Sequence, residues 1–185
     1  ELVKFCWGLL KTEDTSCKNW AFVVVCRLIS TFETPGKIVR RAYNSLLKCH
    51  QQEGKELIRL ALDLLVPALP KRLEESDLQR IVELTSQMML EDGISVPQLA
   101  HVCRVLVGSP GVFDACRNRV SPAMVNSLQR LGLPASGPLE NRALTLDMVE
   151  LLLRWDGDQS SEAEGKLSSE QADNIAHFLV RLKLL

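Results

Sequence analysis

An all-helical fold of stacked helix pairs is what this sequence predicts, and three observations carry the prediction. Aliphatic residues recur at helical spacing in almost every segment between breakers. Aromatics make up only 5 % of the 185 residues while Leu and Val abound, which favours aliphatic helix packing over a β-sandwich. Gly, Pro and capping residues divide the chain into helix-sized pieces joined by short connections.

The first helix is expected over Leu2–Lys11. The polar run Thr12 to Ser16 then supplies N-cap residues for a second, Cys17–Phe32. That segment carries Trp20, Val24, Leu28 and Phe32 on one stripe, and Phe22, Val25 and Ile29 on the next. Val23-Val24-Val25 would suit a strand, but the length of the segment decides for helix. Thr34-Pro35-Gly36 is a turn, and Lys37–Gln52 follows as a helix with Val39, Ala42, Tyr43, Leu46 and Leu47 inward. Lys55–Leu69 is apolar around most of its circumference, which describes a helix covered on nearly every side.

Pro67 and Pro70 are expected to close that unit, and Ser76-Asp77-Leu78-Gln79 to form a capping box for a helix reaching Glu91. Ser95 with Pro97 opens the next helix, whose apolar side is Leu99, Val102, Cys103, Leu106 and Val107. A short helical piece over Phe113–Arg117 precedes Ser121-Pro122, which reads as an N-cap followed by proline at the first helical position. Gly132 ends the helix so begun. Beyond the connector 133–138, Leu139–Trp155 is a long helix, 156–167 a flexible polar loop, and Ser168 the head of a second capping box. Ile175, Phe178, Leu179 and Leu182 are the core stripe of the last helix, for nine or ten helices in all.

Pairs near 17–52, 55–91, 96–132 and 139–183 recur at roughly 40 residues, the period of HEAT-type repeats. The expectation is therefore an all-α, HEAT-like α-solenoid occupying residues 1–185 as a single segment. Its apolar ends suit a piece of a longer chain.

The composition excludes several function classes. With 22 basic against 23 acidic residues there is no overall field to gather nucleic acid, so no direct nucleic-acid contact is expected. No run is long and apolar enough to span a membrane; the best, Leu57–Leu69, is broken by Arg59, Asp63 and Pro67. No phosphate-cradling glycine loop, H-E-x-x-H, G-x-S-x-G or C-x-x-C occurs. Cys49 and His50 diverge by about 100° on a helix, and His101 and Cys103 by about 200°, so neither pair shares an ion. The six cysteines lie at irregular spacings in apolar patterns and read as reduced core thiols, and Trp7, Trp20 and Trp155 as core. No cofactor, metal or catalytic residue is expected. Lys37, Arg40, Arg41 and Lys48 form the best basic patch, a candidate contact for an acidic partner.

A set of short stretches in order resembles one family. They are Lys37-Ile38-Val39, Ser45-Leu46-Leu47-Lys48, Val66-Pro67-Ala68-Leu69-Pro70, Asp92-Gly93 followed by Val96-Pro97-Gln98-Leu99, and Gln129-Arg130-Leu131-Gly132. Asp147, Trp155 and Phe178-Leu179-Val180-Arg181 complete the series. The chain resembles the HEAT-repeat solenoid of the transformation/transcription domain-associated protein family, pseudokinase members of the phosphatidylinositol-3-kinase-related kinases. The resemblance implies a nuclear, non-catalytic scaffold of SAGA-type histone acetyltransferase complexes. Its implied partners are acetyltransferase-complex subunits and acidic transcriptional activators. In animal members of that family a much longer Ser-rich insertion separates Trp155 from the last helix, so any signal it carries is missing from this chain. Two rival readings keep different chemistry: a HEAT-type adaptor or nuclear transport receptor, and a small helical enzyme using a cysteine nucleophile.

Overall fold

The computed structural model describes residues 2–51, 53–158 and 166–184, and it divides into two compact units, Glu1–Ile81 and Val82–Leu185. Among the described residues there are nine α-helices of eight residues or more, two four-residue helical turns, two 3-10 turns and no strand.

The first unit holds α1 (Leu2–Leu9), α2 (Thr15–Thr31), α3 (Gly36–Lys48), α4 (Lys55–Leu65), α5 (Leu69–Arg72) and the start of α6 (Glu75–Leu90). α2 begins where the polar run places a cap: the Asp14 carboxylate accepts the Cys17 N–H at 2.9 Å, which also lowers its pKa. Of the two stripes expected on α2, only Phe22, Val25 and Ile29 enter the core, together with Ala21 and Cys26. Trp20 (58 % exposed) and Phe32 (62 %) lie outside it, because α1 and α4 cover the opposite side of the helix. Gly54 stands at the head of α4 with φ +78°, and a Cβ there would lie 1.8 Å from Nδ2 of the buried Asn19. Both the left-handed backbone and the close approach demand glycine.

The expectation that α4 is covered nearly all round does not hold. Ile58, Ala61, Leu62 and Leu65 are buried, but Leu60 is 44 % exposed beside exposed Arg59 and Asp63. Nor do Pro67 and Pro70 stop the helical path at once. Each sits in a first turn, Pro67 in the 3-10 turn Val66–Ala68 and Pro70 in α5, where a missing N–H costs nothing. The path therefore reaches Arg72, whose Nε donates to the Ile29 carbonyl at 2.7 Å and Nη2 to that of Ser30 at 3.1 Å. These bonds satisfy carbonyls that the end of α2 leaves unpaired.

The second unit holds the rest of α6, then α7 (Val96–Gly108), α8 (Pro110–Phe113), α9 (Arg117–Gly132), α10 (Leu139–Gly157) and α11 (Ser169–Lys183). Ser95 caps α7 as expected, accepting from the Gln98 N–H, and Ser168 and Gln171 form the reciprocal box at the head of α11. Two other caps fall elsewhere. α6 starts at Glu75, so Ser76 lies inside its first turn, and the Glu74 carbonyl receives the Asp77 and Leu78 N–H groups. Ser121-Pro122 does not open a helix: the 3-10 turn Asp114–Cys116 leads straight into α9, and Pro122 is embedded within it. Ser121 turns its hydroxyl back to the Arg117 carbonyl at 2.8 Å, and the carbonyl that Pro122 leaves without a backbone donor belongs to the exposed Asn118.

α10 continues to Gly157, so residues 156–157 are helix where a loop was expected. Asp156 Oδ1 accepts the Leu167 N–H at 2.8 Å, just ahead of the Ser168 cap. The expected flexibility of that loop concerns mainly 159–165, which lie outside the described residues.

Candidate partner-binding surface on the third helix

α3 owes its two faces to a simple period. Val39, Ala42, Tyr43, Leu46 and Leu47 are all at most 1 % exposed, as their spacing predicts. The helix can approach its unit closely because its first residue is glycine: a Cβ at Gly36 would stand 3.1 Å from Asp77 Oδ2 and 3.3 Å from Leu73 Cδ2. With the inner face so held, Lys37, Arg41 and Lys48 fall within about 40° of one another on the opposite side and span roughly 16 Å of its length. All three are exposed.

Arg40 parts company with them. It lies about 60° from Lys37 around the helix, half-buried, and its Nη1 meets Asp77 Oδ1 at 3.3 Å. The same oxygen receives Arg80 Nη1 at 3.3 Å, so this carboxylate is shared by two guanidinium groups. Arg40 Nε and Asn44 Oδ1, one turn apart on α3, are buried atoms without a hydrogen-bond partner. Arg40 therefore serves the packing of α6 on α3, and the exposed patch is Lys37, Arg41 and Lys48.

Two neighbours escaped the sequence reading. The Arg41 guanidinium stands over the Trp7 ring, 5.9 Å from its centroid, which ties α1 to α3 and orients the charge. Trp7 is half-buried by this contact rather than sunk in the core. Lys18 of α2 comes close enough to Cys49, the residue that ends α3, to oppose the burial-driven rise of that thiol's pKa. It adds a further cation near the end of α3. No local pattern marks either residue, since both arrive from other helices.

The thiols themselves offer no activated nucleophile among those whose pKa is displaced. Burial pushes Cys26 up to about 12, and Cys103 up to about 12 despite the nearby Arg104. Asp14 raises Cys17, and burial raises Cys49. All six are free; Cys6, Cys26 and Cys103 are buried as expected, whereas Cys17 is exposed and Cys49 and Cys116 half-buried. Among the described residues no group of three His, Cys, Asp or Glu side chains could hold a metal, and no helix is long and apolar enough to cross a membrane.

The architecture defines an all-α helical-repeat protein, with a row of exposed cations on α3. The family model for the Tra1 HEAT repeat ring region matches residues 1–179, and the chain belongs to that family. It is 32 % identical over 171 residues to probable transcription-associated protein 1 of Dictyostelium discoideum, covering 91 % of this chain and 4 % of that protein. It is 30 % identical over 189 residues to the transformation/transcription domain-associated protein of Homo sapiens, covering 97 % of this chain and 5 % of that protein. Over 181 residues it is 29 % identical to the SAGA complex/NuA4 acetyltransferase complex subunit Tra1 of Schizosaccharomyces pombe, covering 95 % and 5 %. The chain thus spans about one twentieth of the length of these relatives. No solved structure matches it.

Proposed function

We propose that this chain is a non-catalytic scaffold segment of a nuclear histone acetyltransferase co-activator complex, and that the row Lys37, Arg41 and Lys48 receives an acidic segment of a transcriptional activator or complex subunit. Membership of the Tra1 HEAT repeat ring family supports the scaffold role, since relatives bear the names of SAGA and NuA4 complex subunits. In this reading residues 1–185 act as one solenoid segment, touch protein rather than nucleic acid, and use neither cofactor nor substrate.

The observation that carries the site is the complete burial of one face of α3 against three exposed cations on the other. Rows of exposed charge set encounter rate and register more than affinity. Arg40 contributes least in this scheme, because Asp77 already holds it. The test is a titration of the chain with a labelled acidic activator peptide at rising ionic strength. Reversal of Lys37 and Arg41 to Glu should weaken binding about tenfold and flatten its salt dependence. Binding unchanged by that double reversal would remove the surface, and an uncharged control peptide that bound equally well would do the same.

A further inference from the structure

The link between α2 and α3 places a hydroxyl, Thr34, directly before Pro35 and three residues ahead of a cation, Lys37. The chain has two other hydroxyl–proline pairs, and neither shares these features. Ser121-Pro122 is embedded in α9 with its hydroxyl turned to the Arg117 carbonyl, and Ser109-Pro110 has Val112 in the place of the cation. Thr34 instead lies in non-helical backbone, between Phe32 (φ −115°, ψ 152°) and Pro35 (φ −54°, ψ 131°), both extended. Phe32, Glu33 and Pro35 are exposed, and the Thr34 hydroxyl donates to the Phe32 carbonyl at 3.2 Å, a surface bond that water can replace. Such a run suits the peptide groove of a proline-directed protein kinase. Proline brings no N–H to be left unpaired there, and the cation three residues on can meet an acidic pocket. Presenting Lys37 in extended form opens only the first turn of α3, which holds Gly36, a poor helix former.

A phosphate on Thr34 has charges to meet. No side chain caps α3, so the N–H groups of Gly36 and Lys37 have no carbonyl to reach within the helix, and its positive dipole end is open. Lys37 is exposed in the same turn. Asp77, the carboxylate beside Gly36, is already held by both Arg40 and Arg80, so two cations face one anion there. Glu33 opposes a phosphate, but it stands in water, where salt screens it. We infer that Thr34 is a phosphorylation site for a proline-directed kinase, and that its phosphate draws Lys37 out of the cation row and weakens the hold on an acidic partner. The inference rests on the reading of that row as a binding surface. In the transfer Thr34 Oγ1 bonds to the γ-phosphorus of a nucleoside triphosphate, and the bond from that phosphorus to the β–γ bridging oxygen breaks. The nucleoside diphosphate leaves, and the hydroxyl proton passes to a base of the kinase. The phosphate then caps α3 and pairs with Lys37.

The experiment incubates the folded 185-residue chain with a purified cyclin-dependent kinase, which is proline-directed, and magnesium ATP, and maps the phosphate by mass spectrometry. Phosphate should appear at Thr34, be absent from Thr34→Ala and fall at least about tenfold in Pro35→Ala. The phosphorylated chain should melt about 2–4 °C above the unmodified one, with a smaller gain in phosphorylated Lys37→Ala. It should bind the labelled acidic peptide about tenfold more weakly. Phosphate taken up by a synthetic peptide of residues 28–40 but not by the folded chain would overturn the proposal. So would peptide binding that ignores the phosphate yet weakens on reversal of Lys37 and Arg41 to Glu. Indifference to the phosphate and to that reversal alike would instead fell the row itself, and the regulation inferred from it.

Discussion

Gly132 of α9 lies against the ring of Phe178 of α11 so closely that a Cβ would stand 2.8 Å from two ring carbons and 2.9 Å from Thr145 Oγ1 on α10. Both neighbours are fully buried, and three helices meet at this point. Gly132→Ala should therefore destabilise the chain by about 1–3 kcal/mol through overpacking, although alanine is the better helix former. Urea unfolding measures it. Phe178→Leu costs stability alone, but in the Gly132→Ala background it should recover part of the loss, because the clash is with the ring. Additive losses would mean the two sites do not feel each other.

Arg117 and Asp158 give an asymmetric prediction. The Arg117 side chain is 7 % exposed and its Nη1 meets Asp158 Oδ2 at 3.1 Å, while Asp158 is 41 % exposed. Removing the carboxylate with Asp158→Ala leaves a buried guanidinium short of a partner and should cost about 1–3 kcal/mol. Arg117→Met removes the buried charge itself and leaves Asp158 facing water, so its cost should be smaller. A loss from Arg117→Met as large as that from Asp158→Ala would show that the unpaired buried charge does not set the cost.

How much of this was legible in the sequence follows from what sequence patterns encode. The five inward residues of α3 follow from a period, and the caps at Ser95 and Ser168 from local chemistry. Both kinds of information are written within a few residues. Ser121-Pro122 has the same local chemistry as a helix start, yet the turn at Asp114–Cys116 had already begun the helix. On α10 the register of Leu144, Met148, Leu151, Leu152 and Trp155 likewise marks the stripe that packs inside. The candidate surface was legible as a set of cations, but its division was not. Asp77 takes Arg40 out of the row from 37 residues away in sequence (77 − 40), and Trp7 is brought beneath Arg41 across a similar gap.

Arg41 and Trp7 carry the next prediction. An exposed cation over an indole contributes about 0.5–1 kcal/mol, and here the pair joins α1 to α3. Trp7→Leu should loosen α1, seen as faster amide exchange over Leu2–Leu9, while the midpoint of global unfolding moves little. Arg41→Lys should reproduce a weaker version of the same change, since an ammonium group stacks less well than a guanidinium. Unaltered exchange in both variants would show that α1 is held by other contacts alone.

The buried thiols make stability depend on alkaline pH with a definite sign. Burial holds Cys26 and Cys103 at about 12 in the folded chain, against the ordinary thiol value of 9.0 that applies on unfolding. Between these values the folded state keeps protons that the unfolded state has lost, so stability falls as pH rises. Well below pH 9 neither thiol contributes a slope, and the slope grows as pH passes through that value. Above it, each can add up to about 1.4 kcal/mol per pH unit. Urea midpoints should therefore drop between pH 8.5 and 10.5 (values set about the 9.0 reference), and the drop should be shallower in the Cys26→Ala/Cys103→Ala variant. The difference in slope between the two chains isolates the two thiols. Cys17, exposed at the first turn of α2, provides the internal contrast. It should alkylate in the folded chain while Cys26 and Cys103 stay protected until unfolding. A parallel fall in both chains would place the alkaline sensitivity outside the core thiols.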